Sequence, residues 1–283
     1  MPILVLQGPG LTLDIAHQIA QQTNSHFDSK EPQFYGYRLH NEQPLSSKTL
    51  AILSSTYKDI DINFLPQDYD PDQVQLFVTD MDSTLINIEC IDEIAAYINQ
   101  KARVSAITAA AMRGETSFES SLIQRVKLLA NTPVSILTEV YDKRLLINPG
   151  GKDLLAALKQ RGIKIALVSG GFTYFTERLQ LKYSIDYTLA NQLEIKDGHL
   201  TGNIISKIVD ATAKAKFLLR LCQNLNIKPS QVIAIGDGAN DLEMLAAAGL
   251  SIAYRAKPRV RSQAQITLDY SGLEGVLAFL PAS

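Results

Sequence analysis

Leu76-Phe77-Val78-Thr79-Asp80-Met81-Asp82-Ser83-Thr84 is an apolar run that ends abruptly in two carboxylates one residue apart. Residues two apart on an extended chain point to the same side, so Asp80 and Asp82 can face a single substrate at the exit of a buried strand. One can act as nucleophile and the other as proton carrier. An aspartate can attack phosphorus usefully because the acyl phosphate formed is itself easily hydrolysed, which splits one hard displacement into two easier ones. Taken alone the pattern also suits an acidic surface turn, since Asp and Ser favour turns.

Two further segments repeat the arrangement. Ile165-Ala166-Leu167-Val168 runs into Ser169-Gly170-Gly171, and Val232-Ile233-Ala234-Ile235 runs into Gly236-Asp237-Gly238-Ala239-Asn240-Asp241. In an open parallel sheet, ligands bind beyond the carboxyl ends of the strands, so the three segments are expected to converge on one crevice.

The three motifs, in this order and spacing, resemble those of the haloacid dehalogenase superfamily, and within it most closely the phosphoserine phosphatases. The resemblance covers about residues 76 to 260, and the three motifs together are far more specific than any one of them. It implies an α/β fold with a doubly wound parallel-sheet core and an inserted helical cap. The activity it implies is hydrolysis of O-phosphoserine to serine and phosphate, the last step of serine biosynthesis, through an aspartyl phosphate on Asp80, with Asp82 as general acid and base.

A phosphate monoester repels a carboxylate nucleophile unless a cation lies between them. Magnesium is expected, because it prefers hard oxygen ligands and takes one or two protein carboxylates while keeping waters. Asp80 and Asp237 are assigned to it as side-chain ligands, the Asp82 main-chain carbonyl by analogy with the family, and Asp241 as a residue that orients the metal's waters. Lys214 matches the family lysine that neutralises the phosphate, with Lys216 as its competitor. Ser169 and the Gly170 amide would donate to phosphoryl oxygens from a small loop at a helix start, and Asn240 would add a polar contact.

About 60 residues separate the first and second motifs and read as the cap, at about 87–147. Ser117 can cap a helix through Phe118, Leu122, Val126 and Leu129. Arg125, at the edge of that stripe, offers a planar fork suited to a carboxylate, and Glu89 could receive an ammonium group. Both match the phosphoserine phosphatase positions for those groups, and Met112 and Phe118 match the apolar residues that close over the substrate. The bland alternatives are a solvated helix face for Glu89 and Arg125, and core packing for Met112 and Phe118.

Residues 1–72 read as a separate α+β unit similar to the ACT-type regulatory domains of some bacterial relatives, with 73–283 as the catalytic part. Strands are expected at Ile3–Leu6, Phe34–Leu39 and Ile60–Leu65 and helices at Leu13–Ala20 and Thr49–Tyr57, joined to the core by the polar stretch Gln67–Asp72. Lys196-Asp197-Gly198 signals a hairpin expected to flank the core sheet. Leu250–Tyr254 is expected as the last strand, and the basic Arg255-Ala256-Lys257-Pro258 receives no role.

Composition narrows the class. The 283 residues are 46% hydrophobic, enough for a substantial core in more than one domain, and carry a formal net charge of −2. There is no basic stripe for nucleic acid, no apolar run approaching ~20 residues and no signal-peptide-like start, which points to a cytoplasmic enzyme of a small-molecule substrate. Cys90 and Cys222 read as isolated buried thiols. The four histidines lie outside all three motifs, against a Ser-His mechanism. The oligomeric state, a homodimer among the options, is not fixed. Competing readings are a phosphatase or phosphotransferase of another small phosphorylated metabolite, and an amino-acid sensor that kept the fold and lost the chemistry.

Overall fold

The computed structural model of the chain describes residues 2–28 and 36–281. The N-terminal part runs β1 (Ile3–Gln7), α1 (Leu13–Thr23), β2 (Ser25–Phe27), β3 (Gly36–Asn41), α2 (Ser47–Thr56) and β4 (Asp61–Phe64). Of the strand expected at Phe34–Leu39, Phe34 and Tyr35 lie outside the described residues. The four strands form one antiparallel sheet in the order β2-β3-β1-β4, the split βαβ arrangement. Leu4, Leu6, Ile19 and Leu39 are fully buried between this sheet and its helices.

The second sheet is built from β5 (Leu76–Thr79), β6 (Lys164–Phe172), β7 (Tyr187–Asn191), β10 (Val232–Gly236), β11 (Leu250–Tyr254) and β12 (Ile266–Leu268). All neighbours are parallel, in the order β12-β11-β10-β5-β6-β7, with β5 and its carboxylates near the middle. Leu76, Phe77, Val78 and Thr79 are all buried, as a strand covered on both faces requires. The pleat then divides them. Phe77 packs with Ile165, Leu167, Ile233 and Ile252 on one face, and Leu76 and Val78 pack with Ala166, Val168 and Ala234 on the other. Helices α7 (Gly151–Gln160) and α8 (Thr173–Tyr183) cover the first face, while α9 (Ala211–Leu225) and α10 (Leu242–Ala247) cover the second. The short α11 (Pro258–Arg261) joins β11 to β12.

Between β5 and α7 the chain leaves the core to form α3 (Cys90–Tyr97), α4 (Lys101–Met112), α5 (Phe118–Lys127) and α6 (Ser135–Lys143). Its two stems run side by side: Asn87 N–H donates to Leu146 O at 3.0 Å, and the Asn148 amide donates to the Thr84 and Ile86 carbonyls at 2.7 and 3.1 Å. Ser117 caps α5 by accepting from Ser120 N–H at 3.1 Å.

Three expectations change. The hairpin of β8 (Leu193–Lys196) and β9 (His199–Ile204) forms around Asp197-Gly198, both with positive φ, but it is a sheet of its own. Its β9 edge pairs with the loop after α5, through Asn131 N–H to Leu200 O and Leu200 N–H to Thr132 O, both 2.8 Å. It therefore supports the cap rather than flanking the core sheet. Leu250–Tyr254 is not the last strand, because β12 follows it. Ser169-Gly170-Gly171 is not a loop at a helix start but a continuation of β6, whose pairing with β7 shifts register between Val168 and Phe172.

The N-terminal part is tied to the core by side chains from β3, β4 and the stretch that follows β4. The buried Asp61 carboxylate accepts from the N–H groups of Asp269 and Ser271 at 2.8 Å, and the Asn63 amide exchanges two bonds with Thr267. Arg38 and Tyr69 bond the carbonyls of Ala278, Leu280 and Phe279.

Candidate active site

Asp80 leaves β5 with its N–H donating to Ile235 O at 3.0 Å, so its main chain still belongs to the sheet. The chain then makes a wide turn, closed by Ile86 N–H to Met81 O at 3.0 Å, with Ser83 held at φ 57°. This turn brings Asp82 back over the strand end. Asp82 Oδ1 accepts from Cys90 N–H at 3.0 Å, and Oδ2 lies 3.4 Å from Ser169 Oγ. A Cβ on Gly171 would sit 2.6 Å from that Oδ2, so only glycine lets the second motif approach the first this closely.

The third motif supplies Asp237, Asn240 and Asp241 beyond β10. A Cβ on Gly236 would meet the Asp241 carboxylate at 2.6 Å, which is why a glycine stands where that side chain folds back. Asp241 Oδ2 accepts from Gly238 N–H at 3.0 Å. Its Oδ1 takes the Lys214 ammonium at 2.7 Å, and Lys214 also donates to Asp80 Oδ1. Lys214 is completely buried on α9, whereas Lys216 faces solvent, so Lys214 is the lysine in the site.

Oxygens of Asp80, Asp237 and Asp241 lie within 4.8 Å of one another. Burial pushes the Asp80 carboxyl well above the usual range, reinforced by Asp241 and opposed by Lys214. Burial, then Asp241, raises Asp237 to about 6. For half-buried Asp82, burial and the Glu89 charge raise it to about 7. Burial alone would lower the Lys214 ammonium, but its two carboxylates reverse the direction. Lys214 bonds two of the three carboxylates, Asp80 and Asp241, and among the described residues no ammonium is in contact with Asp237. The excess of hard anionic oxygen suits a small divalent cation, which prefers such donors.

Asp80, Asp82 and Asp237 line a cleft of about 640 Å³ between core and cap, with Lys214 and Asp241 buried behind them. Glu89, Arg125, Met112, Phe118, Ser169, Gly170 and Asn240 line the same cleft. Glu89 accepts from Ser83 Oγ at 2.7 Å. Arg125 is partly buried, and burial lowers its guanidinium while Asp92 and Glu89 oppose that. Met112 is 64% exposed at the end of α4, so it is a lip of the cleft and not part of the core. Phe118 lies over Gly170, its Cζ 3.0 Å from where a Cβ on that glycine would stand.

Four residues at the site were given no role there from the sequence. Buried Asn191, at the end of β7, donates to Gly170 O at 2.8 Å and accepts from Val209 N–H at 2.9 Å, tying the second motif to the segment that leads into α9. Thr84 Oγ1 donates to Asp237 Oδ1 at 3.3 Å. Lys257, in the basic stretch given no role, lines the cleft, and its charge lowers Asp237. Cys90 holds Asp82 through its N–H. Both cysteines are free and buried, and no histidine lines the cleft among the described residues.

A family model for haloacid dehalogenase-like hydrolases matches residues 74–249, and the chain belongs to that family. Its relatives narrow the class. A phosphoserine phosphatase of Polaromonas sp. strain JS666 is 51% identical over 221 residues, covering 76% of this chain and 94% of that protein. The unliganded crystal structure of a probable phosphoserine phosphatase from Vibrio cholerae superposes with a TM-score of 0.84 at 38% identity, over 99% of this chain and 86% of that one. A haloacid dehalogenase family hydrolase from Salmonella enterica serovar Typhi gives 0.89 at 34% identity, over 99% and 98%. Among the described residues no helix is long and apolar enough to cross a membrane.

Proposed function

We propose that this chain hydrolyses O-phosphoserine to serine and phosphate with magnesium as its cation. The observation that carries the reading is that an acid, Glu89, and a guanidinium, Arg125, line the same cleft as Asp80, whose carboxylate Lys214 holds from behind together with Asp241. An amino acid carrying a phosphate presents an ammonium, a carboxylate and a phosphoryl group, and each meets its complement there.

Asp80 is the nucleophile, held in line by Lys214. Asp82, with its carboxyl near pH 7, can be protonated when the ester binds and give that proton to the departing serine oxygen. It then takes a proton from the water that cleaves the aspartyl phosphate. Ser169 Oγ and the Gly170 N–H are donors for phosphoryl oxygens, and Asn240 adds a further polar contact. Asp80, Asp237 and the Asp82 main-chain carbonyl would hold the metal, with Asp241 orienting its waters; when bound, the ion would supply positive charge against the negative charge of the phosphoryl oxygens. Met112 and Phe118 cover the bound substrate from the cap. Residues 1–72 form a separate unit whose ties to the C-terminal segment steady the core.

The test is selectivity. Glu89→Gln and Arg125→Ala should each raise KM for phosphoserine roughly tenfold or more while sparing an aryl phosphate. Equal losses on both substrates would reject the amino-acid assignment. Asp80→Asn should abolish turnover and the hydroxylamine-sensitive phosphoenzyme; a variant that keeps either rejects the mechanism.

A further inference from the structure

Ser121 sits on α5 one turn before Arg125 and lines the cleft, yet it is only 1% exposed. Among the described residues it is the one cleft-lining residue whose buried side-chain polar atom has no hydrogen-bond partner. A serine inside a helix ordinarily returns its hydroxyl to the carbonyl four residues back. Thr108 on the neighbouring α4 does this, bonding Val104 O at 3.1 Å. Ser121 does not: the Ser117 carbonyl accepts the Ser121 N–H at 2.9 Å, and the hydroxyl is left over.

The hydroxyl and the Arg125 side chain share one helix face. Arg125 Nε donates to the Ser121 carbonyl at 3.3 Å, which folds the guanidinium along the turn that carries the serine. A carboxylate accepts several hydrogen bonds at once. An anion drawn to Arg125 therefore arrives beside an uncommitted donor.

We infer that Ser121 Oγ donates to the carboxylate of the substrate that Arg125 binds, and is a specificity-determining residue of this cleft. The inference rests on the amino-acid reading above. It also explains why a buried hydroxyl is kept unpaired in the free enzyme: its partner arrives with the substrate. Removing it should therefore cost the folded protein nothing, while removing a structural hydroxyl would cost stability.

The experiment compares wild type, Ser121→Ala and Ser121→Cys on O-phosphoserine and on O-phosphoethanolamine, which keeps the phosphate and the ammonium but lacks the carboxylate. Ser121→Ala should raise KM for phosphoserine roughly 10-fold to 100-fold, change its kcat less than about threefold, and leave phosphoethanolamine kinetics unchanged. Its ligand-free Tm should equal or exceed that of wild type. Ser121→Cys, close in size and a weak donor, should fall between. A wild-type enzyme that takes both substrates equally well overturns the amino-acid reading and this assignment with it. A selective wild type whose Ser121→Ala variant keeps its selectivity, or melts lower with KM unchanged, overturns this assignment alone.

Discussion

Replacing Lys214 with Met removes the only ammonium among the described residues within hydrogen-bond reach of Asp80 and Asp241 while keeping a side chain of similar length. Lys214 is fully buried, with Asp241 at 2.7 Å and Asp80 in contact. Breaking a buried pair by deleting one partner costs about 3–5 kcal/mol, because the other charge is stranded. At about 2–4 °C per kcal/mol, metal-free Tm at pH 8 should fall by roughly 6–20 °C. The loss should shrink on acidification. Asp80 is raised well above the usual range in the folded protein, so its contribution is fully present below the unfolded value and is lost as pH rises through the folded one. Without Lys214, which lowers Asp80, that folded value climbs further, and at pH 5 the cluster can take up protons instead of holding bare charge. Lys214 itself, raised from an already basic value, stays charged throughout and adds no slope. Thermal melts of both proteins at pH 5 and pH 8 in chelator measure the gap. A gap under about 2 °C at pH 8, or an equal gap at both pH values, would refute the reasoning.

The metal-free wild type should lose stability from this site as pH rises from 5 to 8, because Asp237 and Asp82 are raised to about 6 and about 7. Magnesium at about 100 times its Kd should return roughly 2.7 kcal/mol, and melts indifferent to magnesium at pH 8 would contradict the cluster's role. Asn191→Leu should destabilise by roughly 1–3 kcal/mol for each polar group left buried and unpaired, read by urea unfolding. It should lower kcat on phosphoserine and aryl phosphate alike, since Asn191 props the second motif and recognises nothing; a loss confined to phosphoserine would contradict that.

Much of the fold was legible because three apolar runs end in motifs. A strand buried on both faces must be apolar throughout, and the abrupt change to Asp, Ser or Gly marks its carboxyl end. Ser117 was legible as a cap, and Asp197-Gly198 as a hairpin turn. What the hairpin packs on was not, because turn chemistry fixes a local bend and says nothing about the surface it meets. The strand β12 has three residues, too few to show alternation. Lys214 and Lys216 were indistinguishable by type. Two residues on a helix turn through about 200°, and only the packing of α9 shows which of them faces the carboxylates. Asn191 and Ser121 gave no signal, since an Asn ending a strand and a Ser within a helix are common for reasons unrelated to chemistry. Their importance lies in which partners are present or missing in space.

The arrangement also joins selection to chemistry through a short path. Asp80 is fixed by the end of β5, Lys214 by α9 and Asp241 by the turn after β10, and all three side chains are buried. Recognition would fall to the cap, which leaves the core through two stems pinned by Asn87 and Asn148 directly behind the Asp82 turn. Glu89 begins the cap and already accepts a hydrogen bond from Ser83, the residue next to Asp82. An ammonium bound by Glu89 would compete with that Ser83 hydroxyl and remove some of the negative potential that raises Asp82. The positive end of an amino-acid substrate would then lower the proton affinity of the general acid as it docks, so that the proton leaves more readily while a smaller share of Asp82 carries it at a given pH. An ester without an ammonium leaves Asp82 more basic, so the cap would shift the pH dependence of kcat as well as binding, and the pH profiles of phosphoserine and of an aryl phosphate should be offset from each other.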